Sequence, residues 1–199
     1  QPAAHIMKTK LNRRSFLKRS LAGTAGIALA PTIIPSSALG LGGAVPPSER
    51  IVLGGIGIGG RGTHVLSTML PEKDVQFVAI CDPQKSRREA VKKLADEHYG
   101  NKDCRLYKDI REFLAERTDI DAVLSATGDR WHALAAVMAM RAGKDIYSEK
   151  PSSMTIAEGQ AVVETARRFG RVYQTGTQRL SEANFAFAIE LAKSGRLGK

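Results

Sequence analysis

From Arg50 onward the chain alternates short apolar runs with stretches whose apolar residues recur at helical spacing. The apolar runs are Ile51 to Ile56, Val75 to Asp82, Arg105 to Tyr107, Ala122 to Ala126, Asp145 to Ser148 and Val172 to Thr177, and each predicts a strand. Ala122-Val-Leu-Ser-Ala126 is apolar almost throughout, as a strand covered on both faces should be. Between them the pattern predicts helices from the end of a glycine turn to about Met69, from Lys85 to Tyr99, after Asp109, from about Trp131 to Ala142 and from Thr155 to Phe169. A last helix is predicted over about Asn184 to Ser194. Ser86-Arg-Arg-Glu89 and Thr155-Ile-Ala-Glu158 read as capping boxes, Asp109-Ile-Arg-Glu112 as a third cap, and Gly143 and Gly170 as helix stops. Six strands joined by helices imply an α/β fold with a doubly wound parallel sheet, because parallel neighbours need crossovers and these are right-handed. Ligands on such a sheet sit at the carboxyl ends of the strands.

The first strand runs into Gly57-Ile-Gly-Gly-Arg-Gly62, a G-x-G-x-x-G turn between strand and helix. Glycines there permit the tight turn, close backbone approach to a pyrophosphate, and close packing of helix on strand. The helix start then offers free N–H groups to the anion. Gly55, Gly57 and Gly60 fit the same pattern, but Gly57, Gly59 and Gly62 leave the strand uninterrupted. Candidate cofactor ligands are therefore Gly57, Ile58, Gly59, Gly60, Arg61 and Gly62. Asp82 closes the second strand 25 positions after Gly57. That is close to the spacing of about 20 at which a carboxylate meets the adenosine ribose; the other reading is a turn residue before Pro83. A carboxylate repels a 2′-phosphate and favours NAD, whereas Lys85, Arg87 and Arg88 stand near enough to admit NADP, so the cofactor is NAD or NADP.

Charge changes the picture less than it promises. Of 199 residues, 30 are Lys or Arg against 20 Asp or Glu, a net +10. Residues 1–48 hold six of the basic residues and no acid, leaving 24 against 20, or +4, for the remainder. No basic stripe with interleaved aromatics occurs there, which excludes a nucleic-acid partner. The basic leader contains Asn12-Arg-Arg-Ser-Phe-Leu-Lys18, an apolar stretch from Ser20 to Ala30 and small-residue sites at Ala28-Leu-Ala30 and Ser37-Ala-Leu39. It resembles a twin-arginine (Tat) export signal, which predicts a periplasmic protein handed to the Tat machinery already folded. The apolar stretch is short of the ~20 residues of a stable membrane span. Residues 1–6, ahead of Met7, read as non-native. Removing the leader and the linker Ser36 to Ser48 leaves about 150 residues, enough to bury roughly 70% of the unfolded surface. Cys81 and Cys104 fall at opposite ends of neighbouring strands and are expected to be free, and no His and Cys cluster suggests a metal.

The strand ends gather Gly57 to Gly62, Asp82, Thr127 to His132, Glu149-Lys150-Pro151 and Gln178-Arg179. Here the sequence resembles the glucose-fructose oxidoreductase, inositol dehydrogenase and MocA-like family over nearly everything from Arg50 to Lys199. The matching pieces are Gly57 to Gly62, Ala79-Ile-Cys-Asp82, Ala126-Thr-Gly-Asp-Arg-Trp-His132, Ala142-Gly-Lys-Asp-Ile-Tyr-Ser-Glu-Lys-Pro151 and Gln174-Thr-Gly-Thr-Gln-Arg179. The resemblance implies a Rossmann-type NAD(P)-binding domain over residues 49–173, with residues 174–199 leading into a C-terminal α+β substrate domain of which only the start is present. It implies that Lys150 is catalytic, bonding the substrate hydroxyl and taking its proton as hydride leaves the adjacent carbon. Glu149 would hold the nicotinamide end, and Pro151 would follow a cis bond. Thr127, Trp131, His132 and Gln178 would line the same crevice. A buried or capping histidine is the other reading of His132. Gly128 stands where relatives carry proline, which loosens the case for Asp129 as a contact. The implied substrates are sugars and polyols, with homo-oligomers expected of the full-length protein only.

Three readings follow: an exported NAD(P)-dependent oxidoreductase on a sugar or cyclitol hydroxyl, a glycosidase using the same cofactor transiently, or a non-catalytic dinucleotide-binding fragment. NAD-dependent α-N-acetylgalactosaminidases tend to lack the Glu-Lys-Pro triplet, which favours the first. S-adenosylmethionine could also use the glycine turn and Asp82 but gives Lys150 no role.

Overall fold

The computed structural model describes residues 34–43 and 45–198; the twin-arginine leader and the Ala28-Leu-Ala30 site lie outside them. Six strands form one parallel sheet: β1 (Ile51–Ile56), β2 (Val75–Cys81), β3 (Arg105–Tyr107), β4 (Ala122–Ser125), β5 (Asp145–Glu149) and β6 (Tyr173–Gly176), in the order β3-β2-β1-β4-β5-β6. This is the doubly wound order, reversing direction at β1 and β4. The helices are α1 (Gly60–Met69), α2 (Lys85–Tyr99), α3 (Ile110–Glu116), α4 (His132–Arg141), α5 (Ile156–Phe169) and α6 (Ala183–Lys193).

Side chains alternate across the strands, so the central strands feed two cores. Leu53, Phe77, Ile80 and Leu124 pack with Val65 and Leu66 of α1 and Val91 and Ala95 of α2. On the other face Ile56, Ala79, Val123 and Ile146 meet Phe113 of α3, Ala136 and Met140 of α4, and Val162 of α5. Successive residues Val123 and Leu124 are both fully buried, one in each core. A sheet covered on both faces leaves only its edges and strand ends for ligands.

Local signals explain most boundaries. Thr155 and Glu158 form the expected capping box, and the carboxylate of Asp109 accepts the N–H of Arg111 at 2.8 Å to open α3. Gly100 and Gly170 end α2 and α5 in the left-handed conformation. The box expected at Ser86 does not form. Asp82 Oδ1 accepts the N–H of Gln84 at 2.7 Å and the Gln84 side-chain amide donates to the Ser86 hydroxyl, so the helix opens at Lys85 with Gln84 before it. Asp129–Trp131 make a turn of 3₁₀ helix, and α4 proper starts one residue later than expected, at His132. Lys144 is buried, and its amine donates to the carbonyls of Thr118 and Ile120 at 3.0 and 2.7 Å, tying the entry of β5 to that of β4. Burial lowers its pKa. Cys81 and Cys104 are free and buried, and burial foremost, with Asp109 and Asp96 adding to it respectively, pushes each thiol up to about 12.

Candidate active site

Because the sheet order reverses between β1 and β4, the connections leaving those strands fold to opposite faces and leave an opening at their carboxyl ends. The glycine turn lies on one wall. Gly57 adopts φ +66°, and a Cβ there would come within 2.8 Å of the Thr127 backbone. A side chain on Gly62 would stand 2.7 Å from the Ala126 Cβ, whereas one on Gly60 would meet nothing. Space thus demands glycine at 57 and 62 but not at 59 or 60, and Gly55 is pressed as well, a Cβ there running into Ile58 Cδ1. Ile58 is buried in the core beneath the turn. The N–H groups of Gly60, Arg61 and Gly62 open α1 and lack intrahelical acceptors.

The other strand ends converge on the same opening. Asp82 follows β2 and is 2% exposed. Its Oδ1 is already engaged by the Gln84 N–H, while Arg88 donates to its backbone carbonyl. Arg87 reaches over the turn, its guanidinium 3.6 Å from where a Gly59 Cβ would stand. After β4 comes Thr127, whose Oγ1 is buried without a hydrogen-bond partner. After β5 come Glu149 and Lys150: the carboxylate is buried and Lys150 is exposed, preceding a cis peptide bond to Pro151.

Glu149 is the hub of this wall. Its Oε1 accepts Arg61 Nε at 3.1 Å and Gln178 Nε2 at 2.6 Å; its Oε2 faces the backbone N–H of Lys150 at 3.3 Å. Gln178 Nε2 also donates to the Tyr147 hydroxyl at 3.1 Å. Three segments far apart in sequence are thereby joined around one buried carboxylate, which at such burial needs charged and hydrogen-bonding partners. Tyr147 was missed in the sequence, yet its signal was there: residues two apart on a strand share a face, so Tyr147 accompanies Glu149.

Two positions differ in kind. Trp131 is 55% exposed at the end of its turn, free to meet a ligand. His132 is 1% exposed, with Nδ1 2.6 Å from the Pro151 carbonyl oxygen and Nε2 2.8 Å from that of Thr127. Both ring nitrogens face backbone carbonyls, to one of which the ring N–H donates, so His132 braces the loops after β4 and β5 from behind instead of lining the crevice. Among the described residues no group of three His, Cys, Asp or Glu could hold a metal ion, and no helix is long and apolar enough to cross a membrane.

The arrangement fits a dinucleotide on structural grounds. The glycine turn leaves room that side chains would fill, unpaired N–H groups face it, and the orphaned Thr127 Oγ1 stands beside it. Residues 50–177 match the model of an oxidoreductase family with an NAD-binding Rossmann fold. A glycosyl hydrolase family 109 protein of Shewanella baltica is 31% identical over 176 residues, covering 79% of this chain and 37% of its own. The α-N-acetylgalactosaminidase of Shewanella oneidensis is 32% identical over 180 residues, with the same coverage. The chain therefore spans little more than a third of the curated relatives it matches. Among solved structures, scyllo-inositol dehydrogenase from Lactobacillus casei with bound NAD(H) and scyllo-inositol superposes with a TM-score of 0.63 at 20% identity, covering 75% of this chain and 43% of that one; at that identity the likeness concerns the fold.

Proposed function

As the chain belongs to the glucose-fructose oxidoreductase, inositol dehydrogenase and MocA (Gfo/Idh/MocA) oxidoreductase family, with its NAD-binding Rossmann fold, we propose that it is the cofactor-binding part of an exported NAD(P)-dependent oxidoreductase acting on a sugar or cyclitol hydroxyl. The observation that supports this reading is the exposed Lys150, following at the end of β5 the buried Glu149 whose carboxylate Arg61 of the glycine turn also reaches. A dinucleotide would be held by the N–H groups of the glycine turn, by Asp82 at its adenosine end, and by the Glu149, Gln178 and Thr127 wall at the other. A bound nicotinamide supplies the hydride acceptor. Lys150 Nζ bonds the substrate hydroxyl and takes its proton as the carbon–oxygen double bond forms, and returns it in the reverse direction. The second domain implied by the length of the relatives would complete the substrate pocket, and the twin-arginine leader would send the folded protein to the periplasm.

A second reading has specific support: the curated relatives are named as family 109 glycosyl hydrolases and an α-N-acetylgalactosaminidase. That reading uses the same dinucleotide site but ends in cleavage of a glycosidic bond. The two separate in one assay on the full-length gene product. With NAD or NADP and a panel of sugars and cyclitols, net accumulation of reduced cofactor supports the oxidoreductase. Release of an aglycone from an α-N-acetylgalactosaminide without net reduction overturns it. In the active direction Lys150→Ala is expected to lower turnover by at least ~100-fold. Near-normal turnover of that variant removes Lys150 from the chemistry.

A further inference from the structure

Arg61 is placed to do two things at once. It is the second residue of α1, beside the unpaired N–H groups that open that helix, and its side chain is half exposed. Its inboard Nε is fixed on Glu149 Oε1 at 3.1 Å, with the Glu149 side chain almost wholly buried. The guanidinium carries further donors on its terminal nitrogens. Only Nε has a hydrogen-bond partner among the described residues, so the terminal amines of this half-exposed side chain remain available to a ligand. At the inboard end Glu149 leads directly into Lys150, whose backbone N–H faces Glu149 Oε2 at 3.3 Å, and Gln178 donates to the same Oε1 that Arg61 holds, at 2.6 Å.

We propose that Arg61 is a positioning residue linking the two halves of the crevice: its terminal amines take the diphosphate of a dinucleotide at the glycine turn, while its Nε holds Glu149, so that filling the turn fixes the backbone of Lys150. A planar, always-charged fork suits this task, because one guanidinium can serve an anion and a carboxylate simultaneously, whereas a lysine ammonium is a single point of charge. The inference rests on the dinucleotide reading of the glycine turn, and is independent of whether hydride transfer or glycoside cleavage follows. It also distinguishes Arg61 from a residue that merely neutralises a buried carboxylate, since such a residue would not care whether the turn is occupied.

The test uses ADP-ribose, which has the diphosphate but no nicotinamide, and adenosine, which has neither, with affinity measured by calorimetry and exchange of the Lys150 amide by NMR. In the wild type, saturation with ADP-ribose is expected to slow Lys150 amide exchange about tenfold, the effect of firming one hydrogen bond to a charged group. Arg61→Ala is expected to weaken ADP-ribose about tenfold, leave adenosine within about twofold, and abolish the slowing. Arg61→Lys is expected to recover part of the affinity but not the slowing. Glu149→Gln, which removes the charge that Arg61 Nε holds, is expected to lose the slowing and carries the test should Arg61→Ala fail to fold. Unchanged ADP-ribose affinity in Arg61→Ala, or slowing that survives in folded Arg61→Ala or Glu149→Gln, overturns the proposal. A wild type that binds no ADP-ribose overturns the dinucleotide reading itself, and this proposal with it.

Discussion

Three substitutions in the glycine turn should separate into three classes, because the neighbours of each absent side chain differ. Gly57→Ala forces a residue with a Cβ to hold φ +66°, which costs about 1–2 kcal/mol for an L-residue. The new methyl would also lie 2.6 Å from Thr127 Cγ2 and 2.8 Å from Thr127 Cα, and the latter is backbone that cannot rotate away. Overpacking of that kind adds roughly 1–3 kcal/mol, so about 2–5 kcal/mol is expected in all. Gly62→Ala gains up to about 1 kcal/mol from helix propensity. Against that it presses on the Ala126 Cβ at 2.7 Å and on Ile58 at 3.1 Å, for a net loss of about 0–2 kcal/mol. Gly60→Ala meets nothing within 4 Å at an ordinary helical φ, and should be neutral or stabilising by up to about 1 kcal/mol. Urea unfolding of the three variants at constant m-value, followed by NAD titration of each folded variant, supplies the ranking. If Gly60→Ala destabilises as much as Gly57→Ala, the turn is not shaped as described, and the assignment of Gly57, Gly59 and Gly62 to the phosphate-binding positions falls with it.

Two further predictions concern groups the crevice does not use. Cys81 and Cys104 have their thiols pushed up to about 12 by burial, so the unfolded chain ionises them first as the pH rises. Stability should be intact below about pH 9 and then fall by roughly 1.4 kcal/mol per pH unit for each thiol. Denaturation at about pH 8 and pH 10 in the wild type and in a Cys81→Ala, Cys104→Ala double variant checks the slope; equal slopes would refute it. Lys144→Met removes the donor of two carbonyls, those of Thr118 and Ile120. A loss of about 2–4 kcal/mol is expected from leaving them unsatisfied, read as a lowered denaturant midpoint; an unchanged midpoint would mean that water replaces the amine.

What the sequence disclosed depended on the range of the interaction. The positions of the strands, the glycine turn and the Thr155 cap follow from spacing within a few residues, where periodicity and steric demand are strong. Ser86 shows how local competition defeats such a signal: its hydroxyl was already taken by Gln84, and the Asp82 carboxylate had claimed the N–H of Gln84. The Glu149 hub was legible only as separate residues, because Arg61 lies 88 positions and Gln178 lies 29 positions from it. No periodicity spans such distances, and only the strand order β1-β4-β5-β6 brings them together. His132 was legible as a residue near the crevice, but whether its ring faced ligand or backbone depended on where the Thr127 and Pro151 carbonyls pointed.

Asp82 and His132 therefore need a different experimental logic from Lys150. Each stands beside a ligand position while holding backbone: Asp82 orders the first turn of α2 through the Gln84 N–H, and His132 spans the loops after β4 and β5. Removing either side chain takes away hydrogen bonds that hold these loops, so affinity for a dinucleotide would fall even with no direct contact. Lys150 is exposed, and its side chain enters no hydrogen bond or ion pair among the described residues, so its removal should leave stability within about 0.5 kcal/mol. A conservative replacement distinguishes contact from support. Asp82→Asn keeps an oxygen for the Gln84 N–H while losing the charge. If it holds wild-type stability but loses discrimination between NAD and NADP, Asp82 meets the ribose directly. If it loses neither, its carboxylate serves the helix alone, and selectivity must come from Arg87 across the turn.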